Sequence, residues 1–259
     1  MLIDLHLKTS KTPGVDFSAR EIALKAKAAG LDGIAICDTL ATQHANEIVE
    51  ACKSVGIAGF VGVEIPTTEG VLLCFAPEIN EFYLSEEWRQ LTEIVTPAAS
   101  LVIEMFTNLG GAVIASRPYD MEVAYNMGDL IFTIGGLSGV EVFNMRVTPI
   151  QADFAIEAAS AMNLPTTGGT AIGGDVTDLG MFATLFPGSF STQREFVEAL
   201  KRGDFYAIGI GLRPISNEPR APREPREERP SRGRSGGGRS GGDRDRGGRS
   251  GGRSSGGRR

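Results

Sequence analysis

Histidine is nearly missing from this chain: His6 and His44 are the only two in 259 residues. Hydrolytic centres built on several imidazoles around clustered metals need more than that, so a histidine-rich multi-metal site is excluded. Cysteine is scarce as well. Cys37, Cys52 and Cys74 are odd in number and show no C-x-x-C spacing, which argues against a disulfide framework and fits reduced thiols in a cytoplasm. Cys52 falls on the apolar face of a helical pattern and reads as core. No apolar run approaches the length of about 18 residues that a membrane span needs. The opening Met-Leu-Ile-Asp-Leu-His puts an acid where a signal peptide would carry its apolar stretch. The expectation is a cytoplasmic protein with no membrane partner. Finally, residues 213–259 contain no lysine and no aromatic side chain.

What that last segment does contain is arginine. It holds 14 arginines against six acidic residues, a net of +8, whereas residues 1–212 hold 12 basic and 26 acidic groups, a net of −14. The overall charge of −6 hides an acidic body with a cationic tail, an asymmetry that points to a polyanion partner for the basic part. From Ser231 onward only Ser, Arg, Gly and Asp occur, with Gly-Gly-Arg-Ser at 237–240, 247–250 and 251–254. Nothing there can be buried to offset the entropy of ordering, so a disordered tail is expected. Residues 213–230, with five prolines, read as an extended spacer. Guanidinium offers forked phosphate hydrogen bonds and stacking that ammonium lacks. Arg232, Arg234, Arg239, Arg244, Arg246, Arg249, Arg253, Arg258 and Arg259 are therefore the candidate contacts to single-stranded RNA, with little sequence preference. The bland alternative is a solubility tail, or one that neutralises its own acidic body.

Residues 1–212 suffice for one α/β domain with a sizeable core. Short apolar runs at 2–7, 33–37, 58–64, 71–76, 112–116, 139–143, 164–168, 182–186 and 205–210 predict strands. Helical periodicity covers 18–29, 43–55, 86–109 (broken near Pro97), 149–162 and 191–202. Ser18 or Asp16 can cap the first helix ahead of Glu21, and Gly30 and Gly56 stand where helices stop. Repeated βα units with short links predict a parallel sheet, closed or nearly closed as a barrel, with any site at the carboxyl ends of the strands. Those ends carry Asp4 and His6, then Asp38, then Glu64, then Arg117, and later Asp175. Four carboxylates and an imidazole converging on one mouth have the composition of a metal site. Other motifs carry nothing. The glycine-rich Gly168–Gly174 lacks the Gly-Lys-Ser/Thr of a phosphate loop, and Gly136-Leu-Ser138-Gly139 precedes a strand rather than following one.

The order of these blocks resembles the PHP (polymerase and histidinol phosphatase) family. Asp4-Leu-His6-Leu-Lys8 is similar to its D-x-H-x-H opening, and Gly30-Leu-Asp-Gly-Ile-Ala-Ile-Cys-Asp38-Thr39 to its G-L-D-x-I-A-I-T-D-H block. Gly62-Val-Glu64 resembles G-x-E, and the segment from Gly110 to Arg117-Pro118-Tyr119 resembles the block ending A-H-P-Y. Gly139-Val-Glu-Val-Phe-Asn144 resembles G-I-E-V-x-N, and Gly173-Gly-Asp175-Val-Thr177 resembles G-S-D-A-H. The resemblance spans nearly all of 1–212 and implies a distorted (βα)7 barrel whose members hold two or three metals and hydrolyse phosphoesters. It also marks where this chain departs. Lys8, Thr39, Arg117 and Thr177 stand at family histidine positions, and no histidine occurs near Leu72–Cys74. His44 matches an ordinary helix-entry position and reads as a solvated surface residue.

The departures have an electrostatic logic. By the resemblance, His6, Glu64 and Asp175 would share one metal. Lys8 places an ammonium among those carboxylates and Arg117 a guanidinium beside them, and fixed cations can compensate buried carboxylates as a metal does. The expectation is a metal-free pseudo-site of Asp4, His6, Lys8, Asp38, Thr39, Glu64, Arg117, Asp175 and Thr177, in a silent barrel that acts as scaffold in an RNA-binding protein. The rival is a residual phosphoesterase acting on nucleotides or RNA ends, with one Mg²⁺ or Mn²⁺ held by His6, Glu64 and Asp175. A pocket for an anionic ligand through Lys8 and Arg117, and a protein partner for the acidic barrel, are further readings that no residue isolates.

Overall fold

Nine strands form one sheet in the order β7-β6-β5-β4-β3-β2-β1-β8-β9. They are β1 (Leu2–Leu7), β2 (Gly33–Thr39), β3 (Ala58–Thr67), β4 (Gly70–Phe75), β5 (Ala112–Ser116), β6 (Gly139–Phe143), β7 (Thr166–Gly168), β8 (Phe182–Leu185) and β9 (Tyr206–Gly209). The helices are α1 (Ala19–Ala28), α2 (Ala45–Val55), α3 (Ile79–Tyr83), α4 (Glu86–Glu93), α5 (Ala99–Asn108), α6 (Pro149–Ala161) and α7 (Gln193–Arg202). A 3₁₀ turn spans Gly128–Thr133. This computed structural model describes residues 1–9, 18–42, 45–171 and 178–210. The expectations placed on Asp16, His44, Asp175, Thr177 and the tail from 213 onward fall outside the described residues.

All nine sequence-predicted strands form, but the sheet is mixed. The pairings make β1, β2, β3, β5, β6, β7 and β9 run one way and β4 and β8 the other. For β4 the cause is local. Thr67 pairs with Gly70 across only Thr68 and Glu69, and a two-residue turn can join only antiparallel neighbours. The sheet curls until its ends nearly meet. Thr184 of β8 uses its hydroxyl to accept from Gly168 N at 3.0 Å, and Thr166 Oγ1 accepts from Ala207 N at 3.1 Å. The result is a nearly closed barrel.

The helices begin and end where their local chemistry permits. Ser18 caps α1 in a capping box with Glu21, Thr148 does so with Gln151 ahead of Pro149, and Thr192 with Glu195. Gly30, Gly56 and Gly203 follow their helices with φ of 82°, 76° and 75°, a conformation glycine adopts without a Cβ penalty. The long helical pattern at 86–109 divides into α4 and α5 around Pro97, which cannot sit inside a helix. The short α3 has no periodic signal in the sequence.

Strand alternation separates two cores. Ile34, Ile36, Val61, Val63, Leu72 and Cys74 point outward under α1, α2 and α5, while Ala35, Cys37, Phe60, Leu73, Phe75 and Ile114 point into the barrel. The amino end of the barrel is stoppered by α7. Phe196 stacks on Phe60 with ring centroids 4.3 Å apart and meets Phe75 edge-on at 5.3 Å. Gln193 locks the helix in place, donating to Val61 O at 2.7 Å and Ala76 O at 3.0 Å. Gly62 is needed just above this stopper, because a Cβ there would lie 2.8 Å from Cys37 Sγ and collide with the Phe75 ring. Phe196 is fully buried, so Phe196→Ala is expected to cost about 3–5 kcal/mol, read as a lowered urea midpoint with an unchanged slope.

Candidate functional site at the barrel mouth

Above the aromatic layer the barrel interior turns polar. The register of β1 against β2 shifts between Asp4 and Leu7. Leu5 belongs to the inner core and Leu7 to the outer one, a switch that strict alternation forbids and that a bulge provides. The irregularity aims His6 across the barrel, where both its ring nitrogens meet carboxylates. Nδ1 lies 2.9 Å from Glu141 Oε1 and Nε2 lies 3.0 Å from Glu64 Oε2. His6 is fully buried. Burial pushes its pKa down most strongly, but Glu141 and Glu64 together outweigh that and hold it above the usual imidazole range. An imidazolium can donate from both nitrogens at once, as this geometry requires.

Glu64 is the centre of the network. Its Oε1 accepts from Lys8 Nζ at 2.5 Å and from Thr39 Oγ1 at 2.8 Å, and Thr39 itself accepts from Lys8 at 2.9 Å. Its Oε2 faces His6 and accepts from the Arg117 guanidinium at 3.4 Å. Burial pushes the Glu64 carboxyl up, but hydrogen bonding and charge from His6 and then Lys8 carry it far below the usual carboxylate range. Arg117 also donates to Asp120 Oδ2 at 2.9 Å. It sits at φ 45° immediately before Pro118, a strained conformation for a side chain of this size. Its contacts with Glu64 and Asp120, and the Asp120 N–H on its carbonyl at 3.0 Å, hold it there.

Two expected members hold the backbone around this network. Asp38 accepts from Thr9 N at 2.8 Å and Thr9 Oγ1 at 2.7 Å, pinning the chain that leaves β1. Asp4 accepts from Thr170 N at 2.9 Å, from the Thr170 hydroxyl, and from His6 N at 3.1 Å, so it ties β1 to the chain leaving β7. Burial raises the Asp4 pKa to about 7, against the opposing pull of Thr170 and His6. Asp175 and Thr177 lie outside the described residues. The fold also brings in side chains that were not among the candidate site residues. Glu141 accepts from Ser116 Oγ at 2.6 Å and Asn144 Nδ2 at 2.9 Å, and burial, which raises its carboxyl, is overcome by His6 and then Arg117. A charged residue between Val140 and Val142 in an otherwise apolar strand was the available signal.

A metal needs free lone pairs, and here the donors are taken. Both Glu64 oxygens and both His6 nitrogens face other side chains of the network. No trio of His, Cys, Asp and Glu among the described residues forms a metal-holding group. In this arrangement those donors are engaged within the network. What they form is a charge-balanced cluster, with His6, Lys8 and Arg117 facing Glu64, Glu141 and Asp120.

The fold has solved counterparts. Solved structures with the same barrel include a protein of Bifidobacterium adolescentis assigned as a metal-dependent phosphoesterase (TM-score 0.59, 18% identity, 78% of this chain and 96% of that one). An amidohydrolase of Chromobacterium violaceum, solved with sulfate and no metal, is similar too (TM-score 0.61, 14% identity, 76% and 96%). So is PsfC of Pseudomonas syringae (TM-score 0.59, 16% identity, 81% and 91%). The chain has the barrel fold shared by these three proteins. No family profile matches it. It belongs to the same family as an uncharacterized protein of Methanocaldococcus jannaschii, with 32% identity over 154 residues, covering 56% of this chain and 82% of that one. Among the described residues no helix is long and apolar enough to cross a membrane.

Two predictions follow from the cluster. Lys8→Ala removes a cation from a carboxylate whose side chain is 7% exposed and should destabilise the barrel by about 2–5 kcal/mol, measured by chemical denaturation. The pH profile has a defined sign. The lowered Glu64 and Glu141 contribute stability that is lost only as pH falls below the usual carboxylate range. The raised Asp4 contributes stability present at low pH and lost as pH rises through about 7, and the raised His6 loses its share above its ordinary value of about 6.5. The melting temperature should therefore peak on the acid side of neutrality, and Asp4→Asn should flatten the decline between about pH 4 and 7.

Proposed function

We propose that this protein is a catalytically silent PHP-like barrel serving as the scaffold of an RNA-binding protein, with RNA engaged by the arginine/glycine-rich segment 213–259. The observation that carries the first half is the Lys8 ammonium 2.5 Å from Glu64 Oε1. It stands where the family resemblance puts a histidine, and His6 and Arg117 occupy the other oxygen. A divalent ion would have to displace a half-buried ammonium and break a balanced cluster, so the site works as internal charge compensation rather than as a Lewis acid. The assignment of a structural neighbour as a metal-dependent phosphoesterase makes residual hydrolysis of nucleotides or RNA ends, through Mg²⁺ or Mn²⁺ at His6, Glu64 and Asp175, the reading to test against.

Metal analysis separates the two. Protein purified without added metal should contain no stoichiometric divalent ion, and chelator should leave its melting temperature unchanged. A bound transition metal, or a Mn²⁺-dependent phosphoesterase activity that Glu64→Ala abolishes, would overturn the silent-barrel reading.

The second half rests on composition. Fourteen arginines and no lysine in 213–259 favour forked phosphate contacts with single-stranded RNA. If about 4–8 of them meet phosphates, the log–log salt slope of binding should be about −3 to −6. The truncated form 1–212, at net −14, should bind negligibly. Equal affinity of full-length and truncated protein would remove RNA binding from the tail.

A further inference from the structure

A second feature lies away from the polar mouth. Strand β4 runs opposite to β3, so its exit at Ala76–Glu78 lies at the amino end of the barrel, the end stoppered by α7. There α4, α5 and the start of α7 enclose a groove of about 690 Å³. Helix α5 is apolar on two sides. Ala99, Val102, Ile103 and Phe106 are buried against the fold, while Leu101, Met105 and Leu109, at i, i+4 and i+8, line the groove. Leu101 and Leu109 are left 42% and 40% exposed. A helix that is apolar beyond the face it packs implies that something covers the remainder. The stripe is about 12 Å long, two turns of helix. Its rim is acidic. Glu78 is paired with Arg194, but Glu87 and Glu104 line the groove and take part in no ion pair among the described residues.

We propose that this groove is the docking site for a basic amphipathic helix of a partner protein. Apolar side chains at helical spacing would fill the stripe of Leu101, Met105 and Leu109, and lysines or arginines would meet Glu87 and Glu104. Charge selects this occupant. A second copy of the acidic body would bring like charges to an acidic rim, and an acidic peptide would do the same, whereas a basic helix removes the imbalance and covers the stripe in one contact. The groove is built from elements that contribute nothing to the Glu64 cluster, so the outcome is independent of whether the mouth is silent.

The test uses the full-length chain against a display library of random peptides about four helical turns long, first depleted on the variant Glu87→Lys/Glu104→Lys. Both substitutions are at exposed positions and leave the core untouched. Surviving peptides should carry apolar residues at i, i+3 or i+4 and i+7 flanked by Lys or Arg. They should bind the charge-reversed variant about tenfold more weakly, and Leu101→Glu should weaken them comparably while the melting temperature stays that of the parent. No enrichment after depletion, enrichment of peptides without basic residues, or indifference to Leu101→Glu would each overturn the proposal. So would a concentration-dependent dimer that Leu101→Glu dissolves, since that would give the groove to a second copy.

Discussion

The fold is organised around a carboxylate that has to be compensated. Glu64 points into a barrel whose lower half is filled by phenylalanine rings, and its side chain is 7% exposed. An ionised carboxylate in such a place is costly unless cations and hydrogen bonds surround it. Three cations from two strands and their ends do so: His6 from β1, Lys8 just beyond it, and Arg117 after β5. Each is constrained in turn. His6 is aimed by the register shift in β1, Lys8 is shared with Thr39 of β2, and Arg117 is kept in a strained conformation by Asp120. Removing any one leaves charge uncompensated in the interior, and that interdependence ties the carboxyl ends of β1, β2, β3 and β5 together.

The same cluster separates fold from chemistry. Barrels of this shape are found among phosphoesterase-like and amidohydrolase-like proteins, but fold alone does not transmit activity; the site does. Here the mouth carries fixed ammonium and guanidinium groups that saturate the carboxylate. Catalysis needs unsatisfied groups poised to interact more strongly with a transition state than with each other, and on the proposed reading the Glu64 network keeps its strong interactions internal. On the proposed reading the barrel keeps the charge pattern of a metal centre and replaces the ion by side chains.

Much of the architecture was legible in the residues because its signals are local. Strand runs bounded by glycine, capping residues at 18, 148 and 192, and the proline at 97 each act through neighbours a few positions away. The candidate cluster was only partly legible. His6, Lys8, Thr39, Glu64 and Arg117 do meet, but Asp38 and Asp4 bind Thr9 and Thr170, Glu141 and Ser116 enter from otherwise apolar strands, and Asn144 and Asp120 enter from the segments just beyond them. The antiparallel course of β4 was visible only as the short Thr68-Glu69 turn, and that of β8 carried no local signal.

What the sequence by itself determined is the order and kind of the elements, the acidic body and basic tail, and the poverty of imidazole. These follow from side-chain period, turn chemistry and charge, which act over a few residues or over the whole chain at once. What only the tertiary structure decided is partnership. Whether Glu64 pairs with Lys8, whether His6 bridges two glutamates, and whether Leu101 and Leu109 stay uncovered depend on strand register and on closure of the sheet. A one-residue shift such as the bulge in β1 turns a side chain from one face to the other, and no local pattern records it.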